Sequence, residues 1–388
     1  MYINKILLKN YRNIEKTYLN LNPNLNIFIG NNGQGKTNLL ESVYLIATTE
    51  SHRTNRDSEL INWDKDKALI QLKILKKDYD LTISYEIEGR NKSIKINNNP
   101  LEKISDLVGN LNVILFSPED LKIIKGGPSN RRKFLDLEIS QVNPYYYHLL
   151  KEYNHIIRQR NNLLKKMYHQ KNKDINLLEV WDEKLAEKGS KILLKRLKVL
   201  KKLKILARLS QRKLTNGNEN LSINYDCTLN INNDYSLEDI KNVFLKKLKD
   251  DRNDEFERGY TLSGPHRDDL IFKINKVNVR KYGSQGQQRT VALGLKLAEL
   301  EFMKSESGEY PVLLLDDVFS ELDKTRKNTL LSIINDKIQT LITTTDLDDI
   351  DNFMYKKSSK IFNVKNGIIE ESKGRWFFCF YILAKVIW

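Results

Sequence analysis

Gly30-Asn31-Asn32-Gly33-Gln34-Gly35-Lys36-Thr37 follows the short apolar run Leu25 to Ile29 and precedes Asn38 to Ala47, where Leu39, Leu40, Val43 and Ile46 recur at helical spacing. The order is strand, glycine turn, helix, which is the context that a G-x-x-x-x-G-K-[ST] pattern needs to be a phosphate-binding loop rather than an ordinary turn. Glycines let such a loop wrap so that successive backbone N–H groups and the positive helix end face the phosphates. The Lys36 ammonium is then expected to reach the β and γ oxygens and the Thr37 hydroxyl to ligate Mg²⁺. All eight residues are candidate nucleotide-binding positions.

A phosphate loop needs a carboxylate for its metal, and Val312-Leu313-Leu314-Leu315-Asp316-Asp317 supplies one at the end of an unbroken apolar strand. Asp316 is the expected metal partner, and Asp317 stands where a base could orient the attacking water. Tyr282-Gly283-Ser284-Gln285-Gly286-Gln287-Gln288-Arg289, which leads into a helix, resembles the signature of the ATP-binding cassette ATPases. Ser284, Gly286 and Gln287 match its Ser, second Gly and Gln, while Gln285 replaces the first Gly. Read as local structure alone, the same residues are a polar helix cap. Ser320-Glu321-Leu322-Asp323 resembles the D-loop of that superfamily. The resemblance implies that ATP joins two copies, the signature of one closing over the γ-phosphate held by the other, with Ser284 in a catalytic role beside Asp317.

The full order of parts resembles the RecF family. Asn10-Tyr11-Arg12-Asn13, Phe116 to Leu121, Gly127 to Asp136 and Ser263 to Asp269 all look like RecF segments, together with the phosphate loop, the signature and Leu313 to Asp323. They reach from residue 1 to about residue 371. The resemblance implies an α/β fold: a P-loop ABC-type ATPase domain with a β meander, plus an inserted all-helical lobe. It implies a cytoplasmic, DNA-binding recombination mediator of replication, gap repair and the SOS response. It would bind single-stranded and gapped DNA, dimerise on ATP, hydrolyse it slowly and help load recombinase. Arg12 would join the nucleotide site, and RecR and RecO would be partners. Asp317 stands where most of the superfamily has Glu, a departure similar to RecF itself. The transporter-type His is missing from Thr343-Thr344-Thr345-Asp346, so Thr345 or Asp346 would face the γ-phosphate.

The expected organisation is an N-terminal ATPase part (1–140), a basic helical lobe (141–255), a C-terminal ATPase part (256–371) and an atypical apolar tail (372–388). Lys+Arg 65 against Asp+Glu 50 gives a net +15, the balance of a protein with a polyanionic partner. The excess is local, since residues 151–213 hold 19 Lys/Arg and 6 Asp/Glu. Within this stretch Lys191, Lys195, Lys198 and Lys202 share one helical face opposite Leu193, Leu200 and Leu203, and are the candidate DNA contacts. With no base-reading motif anywhere, binding without sequence preference is expected.

Several classes are excluded. Two distant cysteines, Cys227 and Cys379, support neither a disulfide framework nor a zinc site. The run Trp376 to Trp388 is too short to span a bilayer and reads as a translated frame change more than as an anchor, so no membrane partner is expected. Against a transporter subunit stands the long separation of Lys36 from Asp316; against a chromosome-organising SMC protein, the lack of a long heptad coil.

Overall fold

The structure is a computed structural model and describes residues 1–169, 174–231, 234–334, 337–346 and 359–372. The chain opens with strands β1 (Tyr2–Tyr11), β2 (Ile14–Asn20) and β3 (Leu25–Ile29), then helix α1 (Lys36–Thr48). Strands β4 (Lys67–Leu75), β5 (Asp80–Glu88), β6 (Asn91–Ile96), β7 (Asn99–Pro100) and β8 (Val113–Phe116) follow. Four helices come next: α2 (Leu121–Lys125), α3 (Pro128–Val142), α4 (Pro144–His169) and α5 (Ile175–Leu214). Beyond them lie β9 (Leu221–Asp226), α6 (Leu237–Asp250), α7 (Arg252–Arg258), β10 (Asp269–Ile274), β11 (Val277–Asn278) and α8 (Val279–Tyr282). The chain returns through α9 (Gln285–Ser307), β12 (Val312–Asp316), α10 (Lys324–Ile333), β13 (Thr340–Thr344), β14 (Ser359–Lys365) and β15 (Ile368–Glu371).

The central sheet runs β15-β14-β3-β13-β12-β8 and interleaves strands from both ends of the chain. The five strands from β14 to β8 are parallel, and only β15 is antiparallel at the edge. Strand β12 shows why its run is apolar without alternation: Val312 and Leu314 pack on the α1 side, Leu313 and Leu315 on the α9 side. A strand buried on both faces needs apolar residues at every position. Helix α1 is itself enclosed, with Leu39, Leu40, Val43, Leu45 and Ile46 all buried between this sheet and a second, antiparallel one, β2-β1-β4-β5-β6-β7.

A separate core gathers α3 to α6, part of α9 and a small sheet β11-β10-β9. Here the expectation of purely helical structure between residues 141 and 255 meets an exception. Leu221–Asp226 alternates buried Leu221 and Ile223 with outward polar residues and pairs antiparallel with β10. Its short, Asn-rich surroundings hid a period-two pattern only six residues long. Buried ion pairs tie this lobe together. Arg160 on α4 donates to Asp182 on α5 and Glu255 on α7 at 2.7 Å each, and to Thr261 at 2.8 Å.

Candidate functional site

The phosphate loop leaves β3 at Gly30, where an added Cβ would stand 2.2 Å from the Val364 carbonyl oxygen on β14. Only glycine fits so close to another backbone. Gly35, just before α1, has φ 114°, a conformation that side-chain-bearing residues avoid. The loop is held from outside by Asn13, which the sequence marks only as part of a RecF-like segment, and by Asn366 and Gly367, which sequence reasoning did not single out. The Asn13 amide donates to Gln34 O at 3.1 Å, Gly367 N to the same oxygen at 2.9 Å, and Asn366 N to Gln34 Oε1 at 2.6 Å. The turn between β14 and β15 therefore buttresses the loop.

Lys36 is buried and its Nζ donates to Gly30 O at 2.5 Å and Asn31 O at 3.0 Å. Burial lowers its pKa, and Asp317 and Asp316 pull it back up, so the ammonium lies in the field of both carboxylates. Thr37 Oγ1 donates to Asp316 Oδ1 at 2.9 Å, joining residues 279 positions apart in sequence. Thr343 on β13, the strand between β3 and β12, donates to the same oxygen at 2.8 Å and accepts from Asp317 N at 3.0 Å. Asp317 has φ 51° and so turns the chain sharply off β12; Asp is among the few residues that tolerate that region. A hydroxyl and a carboxylate side by side suit a small hard cation, which needs few protein ligands when phosphates and water complete its shell. Among the described residues no cluster of three or more His, Cys, Asp or Glu has metal-binding geometry.

Ser284 is the N-cap of α9: its Oγ accepts from Gln287 N at 3.2 Å, while Gln287 Oε1 accepts from Ser284 N at 3.0 Å. Ser284, Gln285 and Gly286 are nonetheless exposed. The local reading as a helix cap and the functional one are thus compatible, because a cap presents its remaining lone pair and neighbouring N–H groups outward. Arg326 on α10 donates to Thr290 Oγ1 and pairs with Asp323, strapping the region of the D-loop to the signature helix. Arg12 faces inward: its guanidinium forms a bidentate pair with Glu41 on α1, at 3.0 and 2.8 Å. Glu41 is fully buried, and Arg12 and Ser51 hold its carboxyl below the usual range against the opposing effect of burial. A lone acid inside the apolar helix was the signal that such a partner had to exist. Thr345 is exposed just past β13, and Thr344 Oγ1 donates to Asp346 O at 2.8 Å.

On α5, Lys198 and Lys202 are exposed and Lys191 and Lys195 half-buried. Lys191 pairs with Glu187 at 2.8 Å, and Lys202 pairs with Glu306 on α9. Beyond Lys202 the same face exposes Ile205 at 60% and Leu209 at 59%, so it is not purely cationic. The apolar tail expected at 372–388 lies, from residue 373 onward, outside the described residues.

Fold and site define a P-loop head of the kind shared by RecF, RecN and SMC proteins, and the family model described as RecF/RecN/SMC N terminal domain matches residues 2–370. The DNA replication and repair protein RecF of Halothermothrix orenii is 56% identical over 375 residues, which is 96% of this chain and 100% of that protein. The protein of the same name from Alkaliphilus oremlandii is 47% identical over 371 residues, 95% of this chain and all of its own. The chain belongs to the RecF family. Among solved structures, the recombination mediator protein RecF with ATP in the RecFOR pathway shares 37% identity at a TM-score of 0.88, covering 96% of this chain and 97% of that one. The Smc head domain from Pyrococcus furiosus, at 15% identity and a TM-score of 0.55, shares the fold alone.

Proposed function

We propose that this chain is an ATP-binding, DNA-binding recombination mediator that acts in replication-coupled gap repair and SOS induction in the cytoplasm. In this reading the ATPase head, built from 1–140 and 256–371, carries a basic lobe at 141–255. The observation that carries it is the Thr37–Asp316 contact at 2.9 Å beside the phosphate loop. The ATP complex of a RecF structure 37% identical to this chain supports the nucleotide. Gly30 to Gly35 cradle the phosphates through backbone N–H groups, and Lys36 leaves the Gly30 and Asn31 carbonyls to neutralise them. Thr37 and Asp316 would hold Mg²⁺, which would offset phosphate charge when bound. Asp317 orients the water, with turnover slow enough for ATP to act as a dimerisation switch. Arg12 supports the site through Glu41 rather than from a free position.

Ser284, Gly286 and Gln287 meet the ATP of a second copy: Ser284 and Gly286 are exposed at the start of α9 and so available across an interface, and the half-buried Gln287 follows directly, its amide donating to Glu219 at 2.9 Å. DNA is held through its phosphates, with Lys191, Lys195, Lys198 and Lys202 among the contacts. RecR and RecO are the partners that a RecFOR pathway implies. Lys36→Ala tests the nucleotide reading: ATP affinity is expected to fall at least tenfold, about 1.4 kcal/mol. Asp317→Asn should keep ATP bound and slow its hydrolysis. Unchanged affinity in the first variant, or parental hydrolysis in the second, contradicts these roles.

A further inference from the structure

A cavity of about 370 Å³ runs along α3 between α4, the end of α1 and the 265–266 turn, apart from both the phosphate loop and the exposed face of α5. Its wall holds more hydrogen-bond donors than acceptors. Arg132 donates from one guanidinium nitrogen to the Asp268 carbonyl at 2.8 Å, and no carboxylate of the described residues forms an ion pair with it. The carboxylates around it are committed elsewhere: Asp136 to Arg196, Asp269 to Arg131, and Asp268 to Tyr225 and Thr228. Burial first, and then the Arg196 charge, keep the Arg132 pKa below its ordinary value, although Asp136, Asp269 and Asp268 act in the opposite direction.

At the other end of the same wall stands Gln141, 1% exposed. Its Oε1 accepts from Val113 N at 2.8 Å, while its Nε2 has no hydrogen-bond partner. A buried amide donor without an acceptor is uncommon in a folded protein and points to an absent oxygen ligand. Lys133 and Lys151 line the cavity between these ends, Lys133 paired with Glu50 at 2.9 Å and Lys151 over the Tyr147 ring. His266 adds no charge, because burial pushes its pKa down to about 3.

We propose that this cavity binds one nucleotide unit, its phosphate at Arg132 and an oxygen acceptor of its base toward Gln141. Nine residues separate these two positions, roughly 13 Å of helix rise. That span suits a ligand with a phosphate at one end and a carbonyl-bearing ring at the other, and the volume lies within the range of small-molecule sites. A free nucleotide and the terminal nucleotide of a DNA strand share this chemistry.

Acetylation of individual lysines in the full chain, read by mass spectrometry, tests the site locally. The probes are inorganic phosphate, thymidine monophosphate, and oligothymidylate with either a 5′-phosphate or a 5′-hydroxyl. Protection of Lys133 and Lys151 by the monophosphate at a tenfold lower concentration than by phosphate supports a free nucleotide. The same gain for the 5′-phosphorylated strand, absent with the 5′-hydroxyl strand, supports a strand end. In either case Arg132→Gln and Gln141→Leu should each weaken protection at least fivefold, with melting curves confirming that they are folded. Lack of protection by every probe in the parent chain, or nucleotide probes no better than inorganic phosphate, overturns the proposal even if a variant unfolds. Lys36, protected by Mg·ATP, reports the phosphate loop separately.

Discussion

Arg196 lies within the most basic stretch of the chain, yet it is 2% exposed and belongs to the core of the lobe. Its Nε and Nη2 grip Asp136 on α3 at 3.0 and 2.8 Å, and its Nη1 donates to Pro265 O at 2.7 Å and Tyr225 Oη at 3.2 Å. Arg196→Met keeps the aliphatic stem but leaves Asp136, whose side chain is only 20% exposed, without its counter-ion. Removing one partner of a buried pair costs about 3–5 kcal/mol. We take the middle of that range, a loss of about 4 kcal/mol, since the orphaned Asp136 still has Tyr146 Oη as a donor. Replacing both partners, Arg196→Met with Asp136→Leu, should recover most of it, because an apolar pair of similar volume is often as stable as the ion pair. Urea unfolding followed by far-UV circular dichroism measures both. A loss below about 1 kcal/mol in the single variant, or no recovery in the double, refutes the assignment of Arg196 to the core rather than to the solvent-facing charges.

The lysines of the outer face of α5 should behave differently. Neutralising Lys191, Lys195, Lys198 and Lys202 should leave stability and ATP binding nearly unchanged and flatten the dependence of log DNA affinity on log salt by at most ~0.9 per lost duplex contact. Most of that change should appear already in the Lys195 and Lys198 pair, since Lys191 and Lys202 have carboxylate partners; equal slopes and affinities would show the face to be merely solvated. Asp120 predicts a pH effect. Burial raises its pKa from the ordinary 3.8 to about 6 against the pull of Lys296, so its favourable contribution is complete below pH 4 and is lost as pH rises through 6. Thermal melts of Asp120→Asn should therefore lose part of the parental decline between pH 4 and 7, up to ~3 kcal/mol; parallel curves would contradict it.

Much of the fold was legible because its signals are local and strong. The β3 run ends at Gly30 where the sequence places it, β8 occupies Val113–Phe116, and the apolar run before Asp316 is a strand buried on both faces. What stayed hidden depends on contacts between distant segments. Nothing near Gln34 announces that Asn366 and Gly367 will brace it, because they lie 332 and 333 residues away. Ser284 carried two readings at once, cap and signature, since both demand a small hydroxyl before a helix. The basic helix misled in one respect: helical periodicity assigns sides but not neighbours. Charge counting alone therefore missed that Lys202 reaches Glu306 and that Ile205 and Leu209 share the cationic face, whereas the helical period puts Arg196 on the apolar side, where the structure buries it.

ATP-driven pairing of two chains is the claim on which the rest depends, and sedimentation velocity with and without Mg·ATP tests it most directly. The parent should sediment as a monomer alone and as a dimer with ATP. Ser284→Arg should bind ATP but remain monomeric, at a cost of about 1 kcal/mol in helix stability from the lost cap, which a melting curve will register. A parent chain that stays monomeric while saturated with ATP, or a Ser284→Arg variant that dimerises as the parent does, would contradict the account.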